Sequence, residues 1–178
     1  MKELALHIMD IVQNSIVANA NQINITVNED ADDDLMHIII SDNGKGIPAD
    51  VLSRVTDPYT TSRTTRKVGM GIPLLKDACE ISGGELQIHS EVGKGTTLTA
   101  TLGLNHIDRQ PLGDIAGVVT LLVTANPTID FTYTHRRGDS NFLFCTKEVK
   151  EVLEGVPLNT PEVGKMMREM ITSNLEEL

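Results

Sequence analysis

From Glu3 to about Ala20 the chain predicts a helix, with Leu4, Ile8, Ile11, Ser15 and Ile16 recurring on one face. Glu3, His7, Asp10 and Asn14 form a polar stripe on the other side, within roughly 60° of one another at about 100° per residue. "INITVNED" then alternates as a half-buried strand does, and the acidic run Glu29–Asp34 predicts a solvated loop. "LMHIIISD" predicts a strand with a more buried centre, broken by "GKGIP", after which "PADVLSRV" starts a short helix with Pro48 near its first turn. Residues 56–68 show neither period and predict a long loop rich in Thr and Arg. "GMGIPLLKDACEISGG" predicts a helix entered through glycines and stopped at Gly83-Gly84. "ELQIHSEVGKGTTLTATL" predicts a hairpin turning at Gly93-Lys94-Gly95, and Asn105–Asp114 a connector. Beyond it, "VVTLLVTA", "TIDFTYTH" and "NFLFC" predict three strands, with "HRRGDS" as a hairpin turn. "TKEVKEVLEG" and "TPEVGKMMREMITSNLEEL" predict helices, the second with Thr160 as N-cap and Pro161 at the first helical position.

Composition narrows the function classes. The chain has 178 residues, 40% apolar and 3% aromatic, so its core is built from Ile, Leu, Val, Met and Ala. A formal net charge of -10 argues against a broad nucleic-acid or anionic-membrane surface, though not against one phosphate-bearing small molecule. Cys79 and Cys145 have no zinc or CxxC spacing and are expected as reduced thiols. No apolar run approaches the ~20 residues of a membrane helix, and the charged N-terminus makes a poor signal peptide, so a cytoplasmic protein is expected.

Three familiar motifs fail on spacing. A calcium loop starting at Asp42 would need Glu where Ser53 stands. A phosphate loop ending at Gly93-Lys94 would need Gly at Ile88 and Ser or Thr at Gly95. "GMGIPL" lacks the third glycine of a dinucleotide fingerprint, having Leu74 there. What remains, in order, is the polar stripe of the first helix, "DNGKG", "GMGI" and "GKGT". Singly, each reads as an exposed residue or a turn. Together they suit one nucleotide. Asn14 offers a neutral oxygen to Mg2+, and Asp10, one turn earlier, an acid able to orient or deprotonate water. Asp42, at a strand end, can accept from an exocyclic amine such as that of adenine, and Gly44 and Gly46 let backbone pass close to a flat ring. Gly69 and Gly71 can bring amides to phosphates at a helix N-terminus, with Arg63, Arg66 and Lys67 supplying positive charge nearby.

Residues 3–103 closely resemble the GHKL ATPases, the family of gyrase, the ninety-kilodalton heat-shock chaperone, histidine kinases and MutL. "DIVQNSIVANANQINITV" is similar to the family's N-box, "SDNGKGIP" to its G1 box and "DPYTTSR" to its F-box. "VGMGIPLLKDACEISGGELQIHSEVGKGTTLTATL" resembles the G2 box and following strands of histidine kinases. The resemblance implies an α/β, Bergerat-type two-layer sandwich of a mixed sheet and helices over residues 1–104. Residues 105–178, which the resemblance does not reach, are expected to add about three strands and two helices and, by elimination, a surface for a partner protein. The resemblance also implies ATP or ADP with Mg2+ on Asn14, adenine on Asp42 with Gly44 and Gly46 shaping that pocket, and phosphates on Gly69 and Gly71. Thr97 would serve the base side. Asp10 stands where MutL and gyrase carry a Glu general base, and histidine kinases often carry Asn.

Only thirteen residues precede Asn14. No dimerisation and phosphoacceptor helices are therefore expected ahead of it, and any phosphoryl transfer would act in trans, as in stand-alone kinases of the anti-sigma-factor type. A regulatory ATPase and a non-catalytic, nucleotide-gated binding module are the other readings, and a homodimer is one expected assembly.

Overall fold

The computed structural model describes residues 2–56 and 70–178. The first helix, α1 (Leu4–Val17), buries Leu4, Ala5, Ile8, Ile11 and Val12. β1 (Gln22–Asp30) and β2 (Leu35–Asp42) form an antiparallel pair in which Ile25 faces Ile40. A short α2 (Ala49–Leu52) follows, then α3 (Gly71–Ile81) and the hairpin β3 (Glu85–Glu91) and β4 (Gly95–Gly103). α4 (Ile115–Ala125), β5 (Asp130–Arg137), β6 (Ser140–Cys145), α5 (Thr146–Leu153) and α6 (Pro161–Glu176) complete the chain.

The strands make one six-stranded sheet in the order β3-β4-β2-β1-β5-β6. All neighbours are antiparallel except β1 and β5. Side chains alternate across a strand, so Ile23, Ile25, Val27, Ile38, Ile40, Leu98 and Ala100 share one face and meet the helices there. The result is the expected two-layer α/β sandwich with a mixed sheet. Strands β5 and β6 extend that same sheet beyond β1, so a single core runs under both halves of the chain.

One expected strand is a helix. The segment containing "VVTLLVTA" forms α4, so residues 105–178 hold two strands and three helices rather than three strands and two helices. A continuous apolar run carries no period of its own, because positions that point outward are apolar too. In α4 the covered residues Ile115, Ala116, Val119, Leu122 and Val123 fall at helical spacing, whereas Leu121 is 56% exposed. The N-terminal signal is Asp114, whose carboxylate accepts from the Gly117 amide at 2.9 Å. Packing on α1 and α6 overrides the strand propensity of Val and Thr.

The connector closes α1. The Leu4 and Ala5 amides donate to the Pro111 and Leu112 carbonyls at 2.9 and 2.8 Å, which satisfies two donors that a helix N-terminus otherwise leaves unpaired. His7 lies beneath the same segment, 1% exposed, with Nε2 3.0 Å from Gln110 Oε1. Burial holds its imidazole below the usual histidine range.

Acidic residue Glu29 departs from the expected solvated loop. It lies within β1, its side chain 15% exposed, and the turn begins after it. Across the parallel β1–β5 junction His135 Nε2 is 2.7 Å from Glu29 Oε1, and Arg137 donates to both carboxylate oxygens at 3.0 and 3.1 Å. The Tyr133 hydroxyl meets His135 Nδ1 at 2.8 Å. The His135 hydrogen bond, with Arg137 beside it, holds the Glu29 carboxyl down from an ordinary 4.5 to about 2. Burial pushes the Tyr133 phenol far up. These four polar groups tie the added strands to the first four.

Candidate functional site

Where β2 ends, the polypeptide turns through Asn43-Gly44-Lys45-Gly46 against the C-terminal end of α1. The Lys45 amide donates to the Ala18 carbonyl at 2.9 Å. Asn43 fastens the other side, its Oδ1 accepting from the Asn21 and Gln22 amides at 3.0 Å each and its Nδ2 donating to Asn21 Oδ1 at 2.6 Å. The β3–β4 turn folds over the same loop: the Gly93 amide donates to the Lys45 carbonyl at 2.9 Å, and the Ile47 amide to the Ser90 hydroxyl at 2.8 Å.

Two glycines make this docking sterically feasible. Gly46 (φ 74°) lies against the Glu91 carbonyl, and Gly95 (φ 123°) against the Asp42 carbonyl, so a Cβ at either would collide with backbone. Both also hold a conformation that L-residues rarely adopt. Replacing Gly95 with alanine is therefore expected to cost at least ~2 kcal/mol and to displace Asp42. Thermal unfolding checks the first effect, and amide chemical shifts of residues 42–46 the second.

Between α1, the loop and the end of the sheet lies a cavity of about 130 Å³. Its walls are largely aliphatic: Ile11, Ile40, Ile47, Ile72, Ile88 and Leu98. The polar lining comes from Asn14, Ser15, Asp42, Lys45 and Thr96. Asp42 accepts from the Ser15 hydroxyl at 2.6 Å through Oδ2 and from the Gly44 amide at 2.8 Å through Oδ1. The Asn14 amide nitrogen is buried and has no hydrogen-bond partner among the described residues. An aliphatic slot ending in a carboxylate suits a flat, apolar ring that carries a donor on one edge.

Of the expected site residues, Asn14, Asp42 and Gly46 line this cavity, and Gly44 backs it. Asp10 lies further along α1, beside the start of α3. A methyl group at Gly71 would come within 2.9 Å of Asp10 Cβ and 3.2 Å of its Oδ2, so the absence of a side chain at Gly71 lets the helix N-terminus seat there. A carboxylate is favourable at that positive helix end. Arg63, Arg66, Lys67 and Gly69 lie outside the described residues.

Thr97 does not line the cavity. Strand alternation puts Thr96, with Leu98, on the cavity side, and points Thr97 to the opposite face of the sheet. The parity was readable from Leu98, Ala100 and Leu102. Ser15, Asn43 and Ser90 were not flagged by their local patterns, since each acts through a partner distant in sequence.

Fold and cavity together define a two-layer α/β domain with a ligand slot between its helices and one end of the sheet. The sequence model of the histidine kinase-, DNA gyrase B- and HSP90-like ATPases matches residues 2–106. The sensor histidine kinase ZraS of Escherichia coli is 37% identical over 76 residues, 43% of this chain and 16% of that protein. The non-motile and phage-resistance protein of Caulobacter vibrioides is 34% identical over 89 residues, 47% of this chain and 11% of that protein. The match thus spans a small part of each relative's length. Among solved structures, the N-terminal domain of a DNA repair protein superposes with a TM-score of 0.59 at 21% identity, covering 80% of this chain and 52% of that one. The Aquifex aeolicus MutL ATPase domain complexed with ADP gives 0.54 at 14% identity, covering 86% and 70%. The chain belongs to the histidine kinase-, gyrase B- and HSP90-like ATPase family, the GHKL ATPases.

Proposed function

We propose that the chain binds ATP and ADP with Mg2+ in this cavity and acts on a partner protein, as a stand-alone kinase or a regulatory ATPase. The observation that carries this reading is the Asp42 carboxylate at the end of an aliphatic slot whose wall also holds Asn14 Nδ2, without a partner among the described residues. Family membership and the ADP carried by the MutL domain support it.

In this reading Asp42 accepts from the adenine amine, while Ile40, Ile47, Ile72 and Leu98 cover the ring. Asn14, whose Nδ2 donor has no partner among the described residues, would have that donor satisfied by an acceptor on the nucleotide. Its carbonyl oxygen is of the type Mg2+ takes, and the bound ion would neutralise charge on the phosphates. Gly69 and Gly71 would lie against the phosphates, with Arg63, Arg66 and Lys67 contributing positive charge. Asp10, on the same helix as Asn14, would be the acid that orients or deprotonates water.

A nucleotide-gated binding module is the second reading. It is favoured by the connector, which hydrogen-bonds the N-terminus of the helix bearing Asn14 and leads into α4. Residues 105–178 would then present the partner surface.

Incubation with γ-labelled ATP and candidate partners separates the readings. Label on a partner supports the kinase. Free phosphate release that falls about 100-fold or more in Asp10→Asn supports the ATPase. Binding of ATP with neither outcome supports the module, and no binding at all rejects the nucleotide reading.

A further inference from the structure

Ser15 interrupts an apolar face. It is 4% exposed on the side of α1 that otherwise buries Leu4, Ile8 and Ile11, and a serine within a helix is less favourable there than alanine. A buried serine hydroxyl commonly donates back to the carbonyl four residues earlier. Here it donates instead to Asp42 Oδ2, 27 residues away, at 2.6 Å. The Gly44 amide engages the other oxygen, Oδ1, at 2.8 Å. The carboxylate is thus gripped at both oxygens, from α1 on one side and from its own loop on the other. Both Ser15 and Asp42 line the cavity. Each carboxylate oxygen has further acceptor capacity, which these two bonds leave for a ligand.

We propose that Ser15 is a positioning residue of the base pocket: its hydroxyl fixes the Asp42 carboxylate so that its remaining acceptor capacity meets the exocyclic amine of an amino-purine. This rests on the nucleotide reading above. The Gly44 contact is local and moves with the loop. The Ser15 contact ties the Asp42 side chain directly to α1, the helix that also carries Asn14, while the Lys45–Ala18 bond ties only the loop backbone to the helix end. Ser15 therefore sets how far the base end of the pocket lies from Asn14, and it favours ligands that donate at the purine 6-position over ligands that accept there.

The test is calorimetric titration of the unaltered chain and Ser15→Ala with two ligands: ADP, and purine riboside 5′-diphosphate, which lacks only the 6-amino group. Ser15→Ala is expected to weaken ADP about tenfold and leave the amine-free ligand within about twofold, because the variant acts through a bond that only ADP makes. A Ser15→Thr variant, which keeps a hydroxyl, is expected to recover most of the ADP affinity. Equal weakening of both ligands would mean that Ser15 only supports packing, and an unchanged ADP affinity would mean that Asp42 needs no such grip. Either outcome overturns the proposal while leaving the nucleotide reading intact. Absence of ADP binding by the unaltered chain overturns both, so the two failures are distinguishable.

Discussion

Replacing Asp42 with alanine is expected to weaken ADP binding by between about fivefold and about 150-fold, without loss of the fold. The carboxylate ends a slot whose other walls are mainly aliphatic, so few groups nearby can replace it as an acceptor for the base. Removing one partner of a buried hydrogen bond costs on the order of 1–3 kcal/mol, which converts to that range of affinity. Asp42→Asn retains the shape and one acceptor oxygen, but introduces an amide donor facing the same edge, and is expected to bind more weakly than the unaltered chain. Titration calorimetry measures both, and far-UV circular dichroism shows whether β2 and its loop remain folded. An ADP affinity unchanged in Asp42→Ala would remove the base from this end of the cavity.

The second large effect concerns the junction of the sheet. Glu29→Ala is expected to destabilise the protein by about 2–3 kcal/mol, since it leaves the buried His135 ring without its carboxylate partner. The same group sets an acid limit. The carboxyl has its ordinary value of 4.5 when unfolded and about 2 when folded, so the unfolded chain takes up the proton first as pH falls. Its contribution is complete above about pH 4.5 and is lost progressively down to about pH 2, at most on the order of 3 kcal/mol. Glu29→Gln, which cannot titrate, is expected to flatten the stability profile in that window. Urea unfolding at a series of pH values measures the slope. A profile identical in the variant would show that the network does not hold the carboxylate in solution.

This junction bears on how the two halves of the chain communicate. β5 is held by backbone pairing to β1 and by the Glu29–His135–Tyr133 chain of hydrogen bonds, and β6 by pairing to β5, while the connector caps α1 at its other side. Under the proposed function, a partner contact on residues 105–178 would reach the nucleotide helix through these attachments and through α4, which packs directly on α1.

Much of the site was legible in the sequence because its signals are local. The polar stripe carrying Asp10 and Asn14 follows from helical spacing alone, and the break after β2 from the glycines at positions 44 and 46. The alternation in β1 and in the β3–β4 hairpin announced strands with one covered face, whereas the two-layer sandwich was implied by the resemblance to the GHKL ATPases. Even Thr96 was readable, since Leu98 and Ala100 set the parity of its strand. α4 was not, because its outward residues are as apolar as its inward ones, and only the helices packed against it decide between the two conformations.

The remaining features depend on groups brought together from far apart. In the sequence Ser15 is one more small residue on an apolar face, and Glu29 opens an acidic run that belongs in solvent. Folding places the first against Asp42 and the second beneath His135 and Arg137. Gly95 is a turn residue by its neighbours, yet the structure shows backbone of another strand where its side chain would be. Propensity and periodicity act over a few residues and so determined the covered face and every described element except α4. Hydrogen bonding and steric exclusion act across space. They decided which residue grips Asp42 and how the last two strands join the sheet.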